Sequence, residues 1–147
     1  MIIIHLKFIN NKHIKNILNS IDDGIQIIDL NGNIVFSNDT ALELEGLSDK
    51  DVIGKHILKV YPSLNKKTST LLRAMENNKS YEEVKQEFVN FKGKKISTIN
   101  TSMPLNEDNN IIGAIEISKN ITDVKRLSER VVELQKELLE ESYNKKK

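Results

Sequence analysis

Residues 24–38 read GIQIIDLNGNIVFSN. Two short runs rich in β-branched residues, GIQIIDL and IVFSN, flank Asn31-Gly32. An Asn-Gly pair between apolar runs is a strong local hairpin signal, because the tight turns that join antiparallel strands need backbone with positive φ. Upstream, HIKNILNSIDD places Ile14, Ile17, Leu18 and Ile21 on one helical face and ends at Asp22-Asp23-Gly24. Downstream, Asn38 or Asp39 is placed to cap a short helix, TALELEG, which Gly46 closes.

Working outward, Ser48 and Asp51 have the spacing of a capping box with Asp in place of Glu, so a second short helix is predicted there. Pro62 in YPSL breaks the chain, and KKTSTLLRAMENNKS follows as a longer helical stretch with Leu71, Leu72 and Met75 inward. Three strands come next. YEEVKQEFVNF alternates Val84, Gln86 and Phe88 against Lys85, Glu87 and Val89; KGKK turns into ISTINTSMPL; NEDNN turns into IIGAIEISKNI. In the last strand Ile115 and Ile117 alternate with Glu116 and Ser118, which predicts a buried apolar face and a wet polar one. The order of helix, two strands, helix cluster, three strands and long helix is that of an α+β domain with a five-stranded antiparallel sheet and short helices on one face.

Composition bounds the function. With 147 residues the chain suits one domain plus an appendage, and 38% hydrophobic with 29% charged residues is a soluble composition. A formal net charge of +1 gives no reason to expect nucleic-acid contact by this segment, and Lys145-Lys146-Lys147 reads as a solvated end. The absence of cysteine excludes disulfides, thiol nucleophiles and Cys-ligated zinc, and permits a reducing, cytoplasmic setting. MIIIHLKFI is apolar but too short to span a bilayer and lacks the features of a signal peptide. Residues 1–12 are read as an N-terminal extension, either a docking segment at a dimer contact or an unrelated chain end.

The stretch from Ile17 to Lys55 resembles the first half of a PAS domain, and that from Phe91 to Asp123 resembles its last three strands and exit motif. The matching features are Asp23-Gly24 before the first strand, Asn38 ending the second, Gly54-Lys55 after the second helix, and Asn120-Ile121-Thr122 at the exit, where Asn stands in place of the usual Asp. The resemblance spans roughly residues 13–125 and implies a PAS sensor domain over 13–122, with a linker helix over 123–147. LEGLSDKDVIGKHILKVYPSL, STLLRAM and GKKISTINTSMP further resemble the N-terminal sensors of sigma-54-dependent activators of the arginine-utilisation type. That likeness implies an AAA+ ATPase domain and a DNA-binding domain in the full-length protein. The rival outputs are a histidine kinase or a cyclic-dinucleotide enzyme, and a third reading is a PAS domain that only dimerises and takes no ligand.

No catalytic residue is assigned. Asp29, Asn31 and Asn33 begin like a calcium loop, but Ile34 and Thr40 occupy the places of its Gly and Glu, and a hairpin turn explains the same residues. GKH and GKK lack the rest of a phosphate loop. His5, His13 and His56 have no metal-ligand spacing, and no nucleophile motif surrounds any serine. A binding module remains. PAS domains hold ligands between the sheet and the short helices, and the apolar candidates for that pocket are Ile25, Ile27, Phe36, Ile115 and Ile117, whose plain alternative is core packing. The absence of cysteine and of a histidine on the longer helix speaks against flavin photochemistry and haem, so no cofactor is expected. Glu45, Thr98 and Asn100 supply a carboxylate, a hydroxyl and an amide, and Arg73 a cation. Together they suit a small polar metabolite, an amino acid first, whereas the plain alternative puts Glu45 and Arg73 in solvent.

The chain closes on NITDVKRLSERVVELQKELLEES, where Val124, Leu127, Val131, Leu134 and Leu138 step by three and four. This is a coiled-coil seam of two heptads, which asks for a second copy of the chain. A homodimer is therefore expected, with the helix relaying ligand state to an output domain beyond YNKKK; the alternative folds the helix back on its own sheet. Thr122 or Asp123 is the expected cap of this helix.

Overall fold

The structure is a computed structural model that describes residues 7–146. The N-terminal segment expected to dock lies outside the described residues as far as residue 6; Lys7–Asn10 then form a single 3-10 turn that buries Ile9. Helix α1 (Lys12–Asn19) is capped by Asn11, whose side chain accepts from the backbone N–H of His13 and Ile14. Strands β1 (Gly24–Asp29) and β2 (Ile34–Ser37) form the hairpin expected around Asn31-Gly32. Its turn is built by Asp29, whose carboxylate accepts from the amides of Asn31 and Asn33, so the residues that mimic a calcium loop serve the turn.

Four short helices follow: α2 (Asp39–Glu45), α3 (Asp49–Val52), α4 (Ile57–Val60) and α5 (Thr70–Asn77). Asn38 caps α2, and Gly46 ends it in the left-handed conformation at φ 72°. The Asp51 carboxylate accepts from both the backbone N–H and the hydroxyl of Ser48 at the start of α3. Strands β3 (Tyr81–Val89), β4 (Lys95–Glu107) and β5 (Asn110–Asn120) complete a five-stranded antiparallel sheet of order β2-β1-β5-β4-β3. Helix α6 (Thr122–Lys145) leaves from the end of β5. Its first turn is tied down by Asn120, whose side chain accepts from the Thr122 N–H, while the Thr122 hydroxyl accepts from Ser97 N–H of β4. Ile121 occupies the N-cap position without a side-chain cap, and Thr122 bonds back to the sheet rather than capping.

Both faces of the sheet are covered. On one, Ile28, Ile34 and Ala114 pack with Val52, Ile57, Val60, Leu71 and Leu72 of the short helices. On the other, Ile25, Ile27 and Phe36 pack with Ile9 and Leu18 from the N-terminal segment. A bulge makes the division. Ile27 pairs with Phe36 but Ile28 pairs with Ile34, so one extra residue, Val35, sits between them. Ile34 and Phe36, two apart in sequence, therefore point to opposite faces.

Candidate functional site

Between the sheet and helices α2, α4 and α5 lies a cavity of about 420 Å³. The strands reach it through the face that carries their polar residues: Gln26 of β1, Gln86 and Phe88 of β3, Asn100 of β4 and Glu116 of β5. Tyr61, Ser69, Thr70 and Leu71 close it from the helix side, and Glu45 from the end of α2. An extension of about 30 Å³, room for one water molecule, shares Gln26, Glu45, Gln86 and Glu116 and adds Thr98 and Ser118.

The polarity of the sheet is thus the reverse of that read from β5. Ile25, Ile27, Phe36 and Ile115 belong to the opposite face, under the N-terminal segment, and Ile117 shares that face by alternation with Ile115; none of the five lines the cavity. Both faces carry an apolar cluster, so the alternation in β5 separates the face under the N-terminal segment, where Ile115 and Ile117 are half-buried, from the face that encloses the cavity. Arg73 is also elsewhere: its guanidinium stacks on the Tyr81 ring, 4.6 Å from the centroid. Glu45 lines both spaces, with Asn100 on the main cavity and Thr98 on its small extension.

Sequence reading missed Glu116, and it is the most elaborated group here. Thr70 and Ser102 hydroxyls lie 3.1 and 3.0 Å from Oε2, with Ser118 3.5 Å from Oε1. Burial pushes the Glu116 carboxyl up from the ordinary value, and these three hydroxyl bonds oppose the rise. The surface Glu116 retains faces the cavity. Burial, with the negative charge of Glu116 added, pushes the Glu45 carboxyl up to about 7. Burial also raises the Tyr61 phenol, reinforced by Glu45 and opposed by the bond that Gln26 donates to its oxygen at 3.3 Å. The clue to Glu116 is its parity with Ala114: a small residue and an acid, two apart, on the strand at the centre of the sheet.

Two buried polar atoms of the site have no partner among the described residues, Thr98 Oγ1 and Asn100 Oδ1. Asn100 uses its amide nitrogen to donate to Gln86 at 2.6 Å and leaves its carbonyl oxygen bare. Such groups ordinarily cost about 1–3 kcal/mol each when buried and unmet. Neither carboxylate is paired with a basic side chain among the described residues; the one basic residue on the cavity lining, Lys85, is exposed to solvent. His56 does not line the cavity; its Nδ1 accepts from the Leu58 amide and caps α4. No group of three or more metal-ligating side chains occurs among the described residues.

The family described as PAS fold matches residues 12–117. The chain is 35% identical over 113 residues to the transcriptional activator RocR of Bacillus subtilis (strain 168), covering 77% of this chain and 24% of that protein. It therefore spans about a quarter of the length of that curated relative. Among solved structures, the PAS domain of a Colwellia psychrerythraea protein superposes with TM-score 0.61 at 23% identity, over 76% of this chain and 97% of that one. The VqmA dimer of Vibrio cholerae gives TM-score 0.64 at 20% identity, over 78% and 52%.

Proposed function

The chain belongs to the PAS family, and on that premise we propose that it is the small-molecule-sensing regulatory domain of a sigma-54-dependent transcriptional activator, cytoplasmic and without catalysis of its own. The observation that carries the sensing role is the cavity itself: about 420 Å³, rich in acceptors, with a buried Asn100 oxygen that nothing among the described residues satisfies. A PAS domain that only dimerises has no use for such a space. The identity with RocR supports an activator over a kinase or cyclase output, and with it an AAA+ ATPase and a DNA-binding domain elsewhere in the full-length protein. The ligand is a small polar metabolite, an amino acid first.

The relay runs through a homodimer. No residue of α6 is buried, and Val124, Leu127, Val131, Leu134 and Leu138 are all exposed along its length of about 36 Å. This supports a stripe waiting for its symmetry mate over a helix folded back on the sheet. Thermal shift with arginine, ornithine and proline tests the sensing role. A specific ligand at about 100 times its Kd adds about 2.7 kcal/mol of stability. No shift with any of them, together with no co-purifying small molecule in native mass spectrometry, overturns it.

A further inference from the structure

We propose that the cavity holds its ligand through a protonated nitrogen, an amine or a guanidinium, seated between Glu45 and Glu116. This rests on the sensing role above and names the chemistry that the site selects. The geometry has three independent parts. First, the cavity joins two carboxylates from different elements, α2 and β5, with no cation of the chain paired to either among the described residues. Second, Glu116 is held in place by the hydroxyls of Thr70, Ser102 and Ser118, so its orientation needs no ligand and is ready for one. Third, the unmet atom of Asn100, a residue only 5% exposed, is an oxygen acceptor, and so is aimed at a donor. An anion would meet the like charge of both carboxyl groups wherever they are ionised. A neutral molecule draws nothing from the charge of either group, whereas a cation draws on both.

A cation also removes the conflict within the site. Burial and Glu116 hold the Glu45 carboxyl near 7, so near neutral pH it is divided between its protonated and charged forms. The groups facing it are Glu116 from β5 and Tyr61 beyond α4; Lys85 of β3 is on the same cavity lining but exposed to solvent, and Lys92 lies against Gly46 through its backbone N and aliphatic stem. An ammonium between the carboxylates favours the charged form of Glu45. Binding then expels the proton Glu45 carries, and affinity rises as pH climbs from 6 to 8.

The test is isothermal titration of the purified dimer or monomer with agmatine, arginine and ornithine against glutarate and valeramide, in phosphate and in Tris. The cationic compounds are expected to bind at least tenfold more tightly than the dianion or the neutral amide. Heats in the two buffers should differ by a fraction of a released proton at pH 7. Glu116→Gln should weaken binding at least tenfold. Glu45→Gln, which breaks no side-chain hydrogen bond, should weaken it and abolish the buffer dependence. Tight binding of glutarate or valeramide, unaffected by either substitution, overturns the cation site and leaves the sensing role standing. Binding by none of the five, with nothing co-purifying, overturns both.

Discussion

At Asn38 four hydrogen bonds meet on one fully buried side chain. Its oxygen accepts from the amides of Ile25 and Ala41, and its nitrogen donates to the carbonyls of Leu18 and Asp23. One amide thereby fastens the end of α1, the start of β1 and the first turn of α2. Asn38→Ala leaves all four backbone groups unmet and removes a helix cap, so a loss of about 3 kcal/mol is expected in urea unfolding. Glu45 sets a second expectation. Its carboxyl titrates at the ordinary 4.5 when unfolded and about 7 when folded, so between these values the folded state holds a proton the unfolded state has lost. Its contribution is most favourable below pH 4.5 and is lost as pH rises to 7; Glu116 acts in the same direction. Urea unfolding at pH 5.5 and 8 should show the ligand-free protein losing stability with pH, and Glu45→Gln should flatten that loss and stabilise the protein at pH 8 by on the order of 1–3 kcal/mol.

Among the elements, β5 is the most constrained. A methyl group on Gly113 would come within 2.2 Å of the Ile28 carbonyl oxygen, and backbone on the neighbouring strand cannot yield cheaply. Gly113→Ala should therefore cost about 3 kcal/mol or more, read as a lowered Tm in circular dichroism, although alanine is ordinarily the milder residue in a strand. Element identities were legible because they rest on local chemistry: the Asn-Gly turn, the Asn38 cap, the Ser48 and Asp51 capping box, the Gly46 stop, the break at Pro62 and the NEDNN turn. The facing of the strands was not. Alternation in β5 shows that Glu116 and Ile115 differ, but which side receives helices depends on contacts far away in sequence, and so does the single extra residue at Val35 that turns Phe36 away from Ile34. The site was half legible for the same reason. Thr98 and Asn100 share a side by periodicity, while the hydroxyls around Glu116 come from α5 and β4 and meet it only in the folded chain.

At the scale of the whole molecule, the exit of α6 is tied to a strand that lines the cavity. Gln86 and Phe88 line the cavity, and between them Glu87 forms an ion pair with Lys125 in the first turns of α6. On the proposed relay the seam beyond should pair in parallel, so that two output domains leave from the same end. Leu134→Asp would set two like charges against each other across the two-fold axis, where neither finds a partner. Sedimentation at several concentrations should show a dimer in the wild type and a monomer in the variant, with the PAS core still folded by circular dichroism; an unchanged dimer would shift the contact to the PAS faces or the N-terminal segment. The two-sided sheet has a further consequence. Ile25, Ile27 and Phe36 are packed on one side, whereas Gln26, Gln86, Asn100 and Glu116 face the cavity on the other. Alternate positions of the same strands thus answer to separate demands, one to cohesion and one to recognition. Substitutions confined to those four polar positions leave both apolar clusters intact, so on the proposed sensing role a single scaffold can drift from one chemical signal to the next while its architecture stands still.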